Sequence, residues 1–145
     1  MKIGSIIENK EFEKRIAITP DIVKKYISLG FEVTLSENYG SHIGINDKEF
    51  LDLGVKISKD ENEILKNSNL IVQLGMIPDE KSLLIKENTI LVGSLNPFKN
   101  REKLENLVKK KINVFSLELL PRITRAQSMD ILSSQANLAG YKAVV

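Results

Sequence analysis

Cysteine and tryptophan are absent from the 145 residues, and there is only one histidine, His42. Without cysteine the chain can form no disulfide and offers no thiolate nucleophile. His42 has no second histidine and no acidic pair at metal-ligand spacing, so the sequence indicates no metal site. We interpret His42 as part of a surface loop, because glycines lie close to it on both sides in Tyr39-Gly40-Ser41-His42-Ile43-Gly44.

Long apolar runs and a strong excess of one charge are missing as well. The net charge is +2, which argues against a nucleic-acid partner, since such proteins usually carry a concentrated basic face. No window approaches the roughly 18 apolar residues of a membrane span, and the N-terminal apolar stretch is too short for a signal peptide. We therefore expect no nucleic-acid binding, no membrane span and a cytoplasmic location.

The chain does contain short apolar runs that alternate with amphipathic helical patterns. The first helix has clear boundaries: Thr19 can cap it, Pro20 suits its first position, Asp21 favours its positive end, and Gly30 suits its C-terminal stop. The same criteria predict strands at residues 2–7, 31–35, 70–74, 89–95 and 112–117, and further helices at residues 47–53, 59–66, 78–86, 100–110 and about 127–145.

Strands separated by helices predict a parallel sheet with helices on both faces. The fold class is therefore α/β, a Rossmann-like (flavodoxin-like) three-layer domain in residues 1–125, followed by a long helix in residues 126–145. That helix reaches the last residue without a terminating signal, so we expect the sequence to be a fragment of a longer protein.

The loop after the last predicted strand, residues 121–130, is the main candidate binding segment. In open α/β sheets ligands bind at the carboxyl ends of the strands, where this loop is expected to lie. On the following helix a polar stripe runs between two apolar sides, and buried polar groups need hydrogen-bond partners from protein, water or ligand. The stripe comprises Gln127, Asp130, Ser133, Ser134 and Asn137.

A purely structural role fits the same residues. Gln127 could close a capping box with Thr124. Asp130 could pair with Arg122 or Arg125, or favour the helix N-terminus, and Ser133 and Ser134 could bond back to the preceding turn. Periodicity alone favours this structural interpretation.

A family resemblance favours the binding interpretation. The run PRITRAQSMDILSSQANLAGYKAVV at residues 121–145 closely resembles the loop and helix of the alpha subunit of proton-translocating NAD(P) transhydrogenases, members of the alanine dehydrogenase/pyridine nucleotide transhydrogenase family. Shorter matches are RIAITP at 15–20, NP at 96–97 and SLELLPR at 116–122. The resemblance covers the whole chain and is weak in residues 36–90.

The resemblance implies that this loop folds over bound NAD(H), with Arg122, Gln127, Asp130 and Ser133 contacting the nicotinamide end or the partner domain. It implies hydride transfer between NAD(H) here and NADP(H) on a partner subunit, coupled to proton movement by a membrane subunit. No side chain needs to act as nucleophile or general base, because the cofactors carry the chemistry. The complete subunit is expected to form a homodimer, peripheral to the inner membrane through its partners.

Two alternatives remain at this level. Alanine and saccharopine dehydrogenases share the fold, and in alanine dehydrogenases an Arg at the place of Arg15 binds the substrate carboxylate. The Lys and His that those enzymes also use are missing from residues 72–78 (VQLGMIP) and 93–96 (GSLN). Arg15 could instead have a structural role and anchor Glu11, Glu13 or a neighbouring strand end. The other alternative is a non-catalytic domain used for packing or dimerisation.

No Gly-x-Gly-x-x-Gly motif follows any predicted strand. That motif cradles the phosphates of a dinucleotide, and in the transhydrogenase family it comes downstream of the long helix. We therefore expect this chain alone to bind NAD(H) weakly or not at all.

Overall fold

In the computed structural model, which describes residues 1–145, six parallel strands form one sheet in the order β3-β2-β1-β4-β5-β6. Each of the five predicted strands is present, with slightly different ends. Apolar residues such as Ile6 and Leu95 remain buried beyond the last ladder pairing, which is why the apolar pattern overstates the strand lengths. The strands are β1 (Lys2–Ser5), β2 (Glu32–Ser36), β3 (Lys56–Ser58), β4 (Leu70–Gln73), β5 (Ile90–Gly93) and β6 (Asn113–Ser116).

The helices follow the sequence signals most closely at α1. Pro20 occupies the first turn, although Thr19 makes no side-chain cap bond. Gly30 ends the helix with a φ of +79°, which lets its N–H reach the carbonyl of Ile27 at 2.9 Å and that of Phe31 reach Tyr26 at 3.0 Å. The helices are α1 (Pro20–Ser28), α2 (Asp47–Leu51), α3 (Glu61–Asn67), α4 (Asp79–Ser82), α5 (Arg101–Lys109) and α6 (Ile131–Val144).

Two apolar cores lie on the two faces of the sheet. Val33 and Leu35 of β2 face one core, which α1 and α2 cover through Val23 and Phe50. Ile71 of β4 faces the other core, which α3 and α5 cover, while its neighbours Leu70 and Val72 pack on the first side. This alternation is the period of a strand buried on both faces, and it confirms the three-layer α/β prediction.

The edge strand β3 is the one strand that the sequence did not predict. It has only three residues, of which two are polar, and its side chains are exposed or half-buried, so no apolar run marks it. With β3 included, the strand order is the doubly wound Rossmann order, whereas the five predicted strands alone would have the flavodoxin-like order. The predicted Rossmann-like parallel sheet is confirmed, but its strand order is that of the Rossmann fold and not the flavodoxin-like order.

Two helices differ from the prediction in extent. The helix expected at residues 78–86 is a single turn, α4. The last helix was expected to begin near residue 127, but residues Thr124–Met129 form a 3₁₀ turn and α6 begins only at Ile131. The extended backbone of Asp130, with φ −74° and ψ 98°, separates the two. No helix combines the length and the apolar character that crossing a lipid bilayer would require.

Candidate functional site

A cleft of about 770 Å³ opens at the carboxyl ends of β1, β4 and β5. The strands β1 and β4 are neighbours in the sheet although the chain leaves them toward opposite edges, and this is the point where doubly wound sheets bind ligands. The segments that follow these three strands supply most of the lining, together with Lys81, Lys99 and Glu118.

Glu8, two residues beyond Ile6, is the central buried charge of this cleft. Only 8% of Glu8 is exposed, and its carboxylate accepts hydrogen bonds from the N–H groups of Leu74 and Gly75 and from Nε2 of Gln73. Burial raises the pKa of Glu8, and the two backbone donors only partly offset that rise. Gln73 completes the arrangement, because its Oε1 accepts from the N–H of Ile6 at 2.9 Å. Glu8 therefore ties the loop after β1 to the end of β4.

Arg15 lies at the rim of the same edge and is committed to an internal partner. Its Nε and Nη2 donate to the two carboxylate oxygens of Glu13 at 2.8 and 2.7 Å. This two-pronged contact lowers the pKa of Glu13. The anchoring role considered for Arg15 is thus present, with Glu13 as the partner and not Glu11.

Tyr39 holds the RIAITP segment against the sheet. Its buried hydroxyl accepts from the N–H groups of Ala17 and Ile18, both at 3.2 Å, and burial raises its pKa to about 12. The phenol therefore stays neutral and acts as a structural acceptor.

Glu118 lies in a 3₁₀ turn, Leu117–Leu119, directly after β6. Its carboxylate accepts from Ser94 Oγ at 3.0 Å, from the N–H of Leu95 at 3.2 Å, from the N–H of Asn96 at 2.7 Å and from Ser116 Oγ at 2.6 Å. Partial burial pushes the pKa of Glu118 up, but these hydrogen bonds outweigh burial and the pKa lies below its usual value. The Glu118 carboxylate therefore connects the ends of β5 and β6 through hydrogen bonds to both.

Two smaller clefts continue from the first along the sheet edge toward α6. The nearer one, of about 380 Å³, shares Ser94 and Glu118 with the first cleft and is also lined by Arg15 and Arg122. The farther one, of about 280 Å³, lies on the loop before α6. The structure brings all four sequence-predicted site residues to its lining: Arg122, Gln127, Asp130 and Ser133.

These four side chains differ in whether they form hydrogen bonds or ion pairs within the chain. Arg122 and Gln127 are exposed, and no hydrogen bond or ion pair within the chain holds either side chain. Asp130 caps α6, since its carboxylate accepts from the N–H groups of Leu132 and Ser133 at 2.9 and 3.0 Å and from Ser133 Oγ at 2.6 Å. The bond from Ser133 and the other cap bonds lower the pKa of Asp130.

The expected capping box between Thr124 and Gln127 does not form. Asp130 caps α6 instead, because its extended backbone places its carboxylate beside the first free N–H groups of that helix. Of the back-bonding expected for the two serines, Ser134 Oγ donates to the carbonyl of Ile131 at 3.1 Å, whereas Ser133 bonds to the Asp130 carboxylate. Gln127 therefore has no capping role in this structure, whereas Asp130 does have the structural role at the helix N-terminus that was considered for it.

His42 is exposed, and its Nε2 lies 2.8 Å from the carbonyl oxygen of Lys14. It is a surface-loop residue, as interpreted from its flanking glycines. No group of three or more His, Cys, Asp or Glu side chains is arranged to hold a metal ion.

Sequence reasoning did not single out Glu8, Gln73 or Glu118. A usable signal existed, because each polar residue stands at or just beyond the carboxyl end of a predicted strand, which is where site residues of parallel sheets lie. The hydrogen bonds of these three residues join positions up to 68 apart, as in the bond from Ser5 Oγ to Gln73 Oε1, and periodicity carries no information about such pairs.

Comparisons with known proteins agree on one family. The family model described as "Alanine dehydrogenase/PNT, N-terminal domain" matches residues 4–139. The first portion of the NAD(P) transhydrogenase alpha subunit of Rickettsia prowazekii is 40% identical over 149 residues, and that of Rhodospirillum rubrum is 42% identical over 150 residues. Both alignments cover 100% of this chain and 39% of the relative.

A crystal structure of a transhydrogenase from Sinorhizobium meliloti superposes with a TM-score of 0.91 at 33% identity, covering 99% of this chain and 43% of that one. The chain therefore spans about two fifths of the length of these three relatives.

Proposed function

Because the chain belongs to the alanine dehydrogenase/PNT N-terminal domain family, we propose that it supplies the N-terminal part of the NAD(H)-binding component of a proton-translocating transhydrogenase. The observation that carries the proposal is the cleft before α6. It gathers Arg122, Gln127, Asp130 and Ser133 at the carboxyl edge of the sheet, and two of these four side chains have no partner within the chain.

The residues present fit the nicotinamide end of the cofactor. A carboxamide offers two donors and an acceptor, and the free amide of Gln127 can pair with both kinds of group. Arg122 adds an unpaired cation, and Leu120 and Pro121 supply an apolar wall to the same cleft. The chain has no glycine-rich motif to cradle the phosphates, so it fits only one end of a dinucleotide.

The nicotinamide ring, when bound, supplies or accepts the hydride. In the proposed mechanism Gln127 would hold the carboxamide of the nicotinamide and so restrict the orientation of the ring, which is the condition for efficient transfer. Arg122 and the Asp130–Ser133 pair set the charge around the ring, and the apolar wall excludes water. No side chain of this chain takes or gives a proton in the transfer.

The partners follow from the same proposal. The second nucleotide, NADP(H), lies on a separate subunit, and a membrane subunit couples hydride transfer to proton movement. The complete component is a homodimer on the cytoplasmic side of the inner membrane, attached through those partners.

The reaction class is tested by two assays on the assembled protein with its partner subunits. Hydride transfer from NADH to an NADP⁺ analogue is expected, and alanine-dependent reduction of NAD⁺ is not, because Arg15 is bound to Glu13 and residues 72–78 and 93–96 contain no Lys or His. Alanine-dependent reduction without transhydrogenation would assign the chain to the dehydrogenase branch. The absence of both activities would favour a packing domain.

The isolated chain is expected to bind NADH only weakly, with a Kd well above the micromolar range, because it offers contacts to one end of the cofactor alone. Titration calorimetry or NADH fluorescence measures this directly. Micromolar affinity for the 145-residue chain would contradict the assignment of the phosphate-binding contacts to another part of the protein.

A further inference from the structure

Glu118 joins two loops that the sheet itself leaves separate. It stands between the end of β6 and the loop that carries Arg122. Its carboxylate collects three hydrogen bonds from the segment after β5, namely those from Ser94 Oγ and from the N–H groups of Leu95 and Asn96. Since β6 is an edge strand that pairs only with β5, these bonds hold the end of β6 where ladder pairing has stopped.

The segment that receives Glu118 leads directly into a hydrogen-bonded turn at residues 97–99. Asn96 has a φ of +47°, in the left-handed region, and Asn100 Nδ2 donates to the carbonyl of Leu95 at 2.8 Å. The consecutive N–H groups of Leu95 and Asn96 both donate to the Glu118 carboxylate, Leu95 to Oε2 and Asn96 to Oε1, and adjacent N–H groups of this kind bind anions. Glu118 supplies that anion from the same chain.

The 3₁₀ turn that carries Glu118 ends at Leu119, directly before Leu120, the first residue that lines the cleft before α6. It packs against α6, and the chain runs from it through Leu120 and Pro121 directly to Arg122. Arg122 has no partner of its own, so its position depends on where this turn is held. We propose that Glu118 is a positioning residue, which fixes the loop of Arg122 for hydride transfer by anchoring it to the segment of residues 94–96 that follows β5.

The inference rests on the proposed transhydrogenase function and adds to it a residue that does not touch the cofactor. Glutamine at position 118 keeps the size of the side chain but replaces one carboxylate oxygen with an NH₂ group. That group would face donors instead of accepting from them, so the anchor loosens while the fold has little reason to change.

The test uses Glu118→Gln in the assembled transhydrogenase, with Glu105→Gln as the matched control. Glu105 is exposed on α5 and pairs only with Arg101. Glu118→Gln is expected to lower kcat/KM for NADH by about 10-fold to about 100-fold, the effect of a displacement of about 1 Å at a reacting group, while the KM for the NADP(H) substrate stays unchanged. Glu105→Gln is expected to leave both nucleotides unaffected.

A double-mutant cycle with Arg122→Ala separates positioning from general destabilisation. If Glu118 acts through Arg122, adding Glu118→Gln to Arg122→Ala causes little further loss, whereas independent effects multiply. Ser94→Ala removes one donor from the other side of the anchor and is expected to lower kcat/KM for NADH in the same direction by a few-fold, which keeps the test valid if Glu118→Gln folds poorly.

The outcomes distinguish this inference from the function on which it rests. Multiplicative losses in the cycle, or an unchanged kcat/KM for NADH in a folded Glu118→Gln enzyme whose Arg122→Ala counterpart is impaired, would overturn the positioning role alone. An Arg122→Ala enzyme with normal NADH kinetics would overturn the proposed nicotinamide site itself.

Discussion

Replacing Gln127 with asparagine in the assembled enzyme is expected to slow hydride transfer by about 100-fold while leaving the fold intact. The shorter side chain withdraws its amide from the cleft before α6, where the proposed function has it orient the carboxamide of the nicotinamide. Gln127 is exposed and forms no capping box with Thr124, so its truncation should change the free energy of unfolding by less than about 0.5 kcal/mol.

Stopped-flow measurement of a single hydride transfer, with thermal unfolding beside it, separates the two quantities. Asn106→Ala is the control, because it alters an amide on the exposed side of α5, away from the cleft. A Gln127→Asn enzyme that keeps its transfer rate would remove Gln127 from the nicotinamide site. A decrease of about 1 kcal/mol in the free energy of unfolding, with a normal rate of hydride transfer, would indicate a capping role for Gln127.

Gly93→Ala is expected to destabilise the domain by about 1–3 kcal/mol, the usual cost of forcing an extra methyl group into a packed interior. A Cβ at Gly93 would lie 2.2 Å from the carbonyl oxygen of Gln73. Because that atom belongs to the backbone of the adjacent strand β4, no side-chain rotation relieves the clash and the ends of β4 and β5 must separate. Gln73 supports Glu8, so the main cleft should widen as well.

Gly140→Ala serves as the matched control for this substitution. Gly140 lies in α6, where an added Cβ would meet nothing within 4 Å, and alanine has the higher helix propensity by about 1 kcal/mol. Urea unfolding of the two variants against the parent chain gives both differences. Equal stability of the Gly93→Ala and parent chains would mean that β4 and β5 are less tightly packed at this end than the structure indicates.

The architecture could be predicted from the sequence wherever an apolar run or a helix-boundary signal was strong. Pro20, Asp21 and Gly30 delimit α1 closely, and the central strands β4 and β5 are marked by short runs of buried and half-buried apolar residues. The edge strand β3 was missed because three residues, two of them polar, carry little pattern. Because β3 was missing from the prediction, the predicted strand order was flavodoxin-like, whereas the observed order is that of a Rossmann fold.

The candidate site could be located from the sequence, but its internal contacts could not. The loop at residues 121–130 was placed correctly at the carboxyl edge of the sheet, since that follows from its position after the last strand. That Asp130 and not Thr124 caps α6 depends on which backbone adopts the extended conformation, and two residue types that both favour caps do not reveal this.

What the sequence determined by itself was local: the helix ends, the buried strands, the absence of cysteine chemistry, and the one loop whose residue order indicates a family. What only the tertiary structure decided was which distant residues meet. Glu8 with Gly75, Glu118 with Asn96, and the common cleft of Arg122, Gln127, Asp130 and Ser133 all arise where parallel strands end side by side. Those contacts depend on strand order and register, which are set by packing of the whole sheet and not by any short stretch of chain.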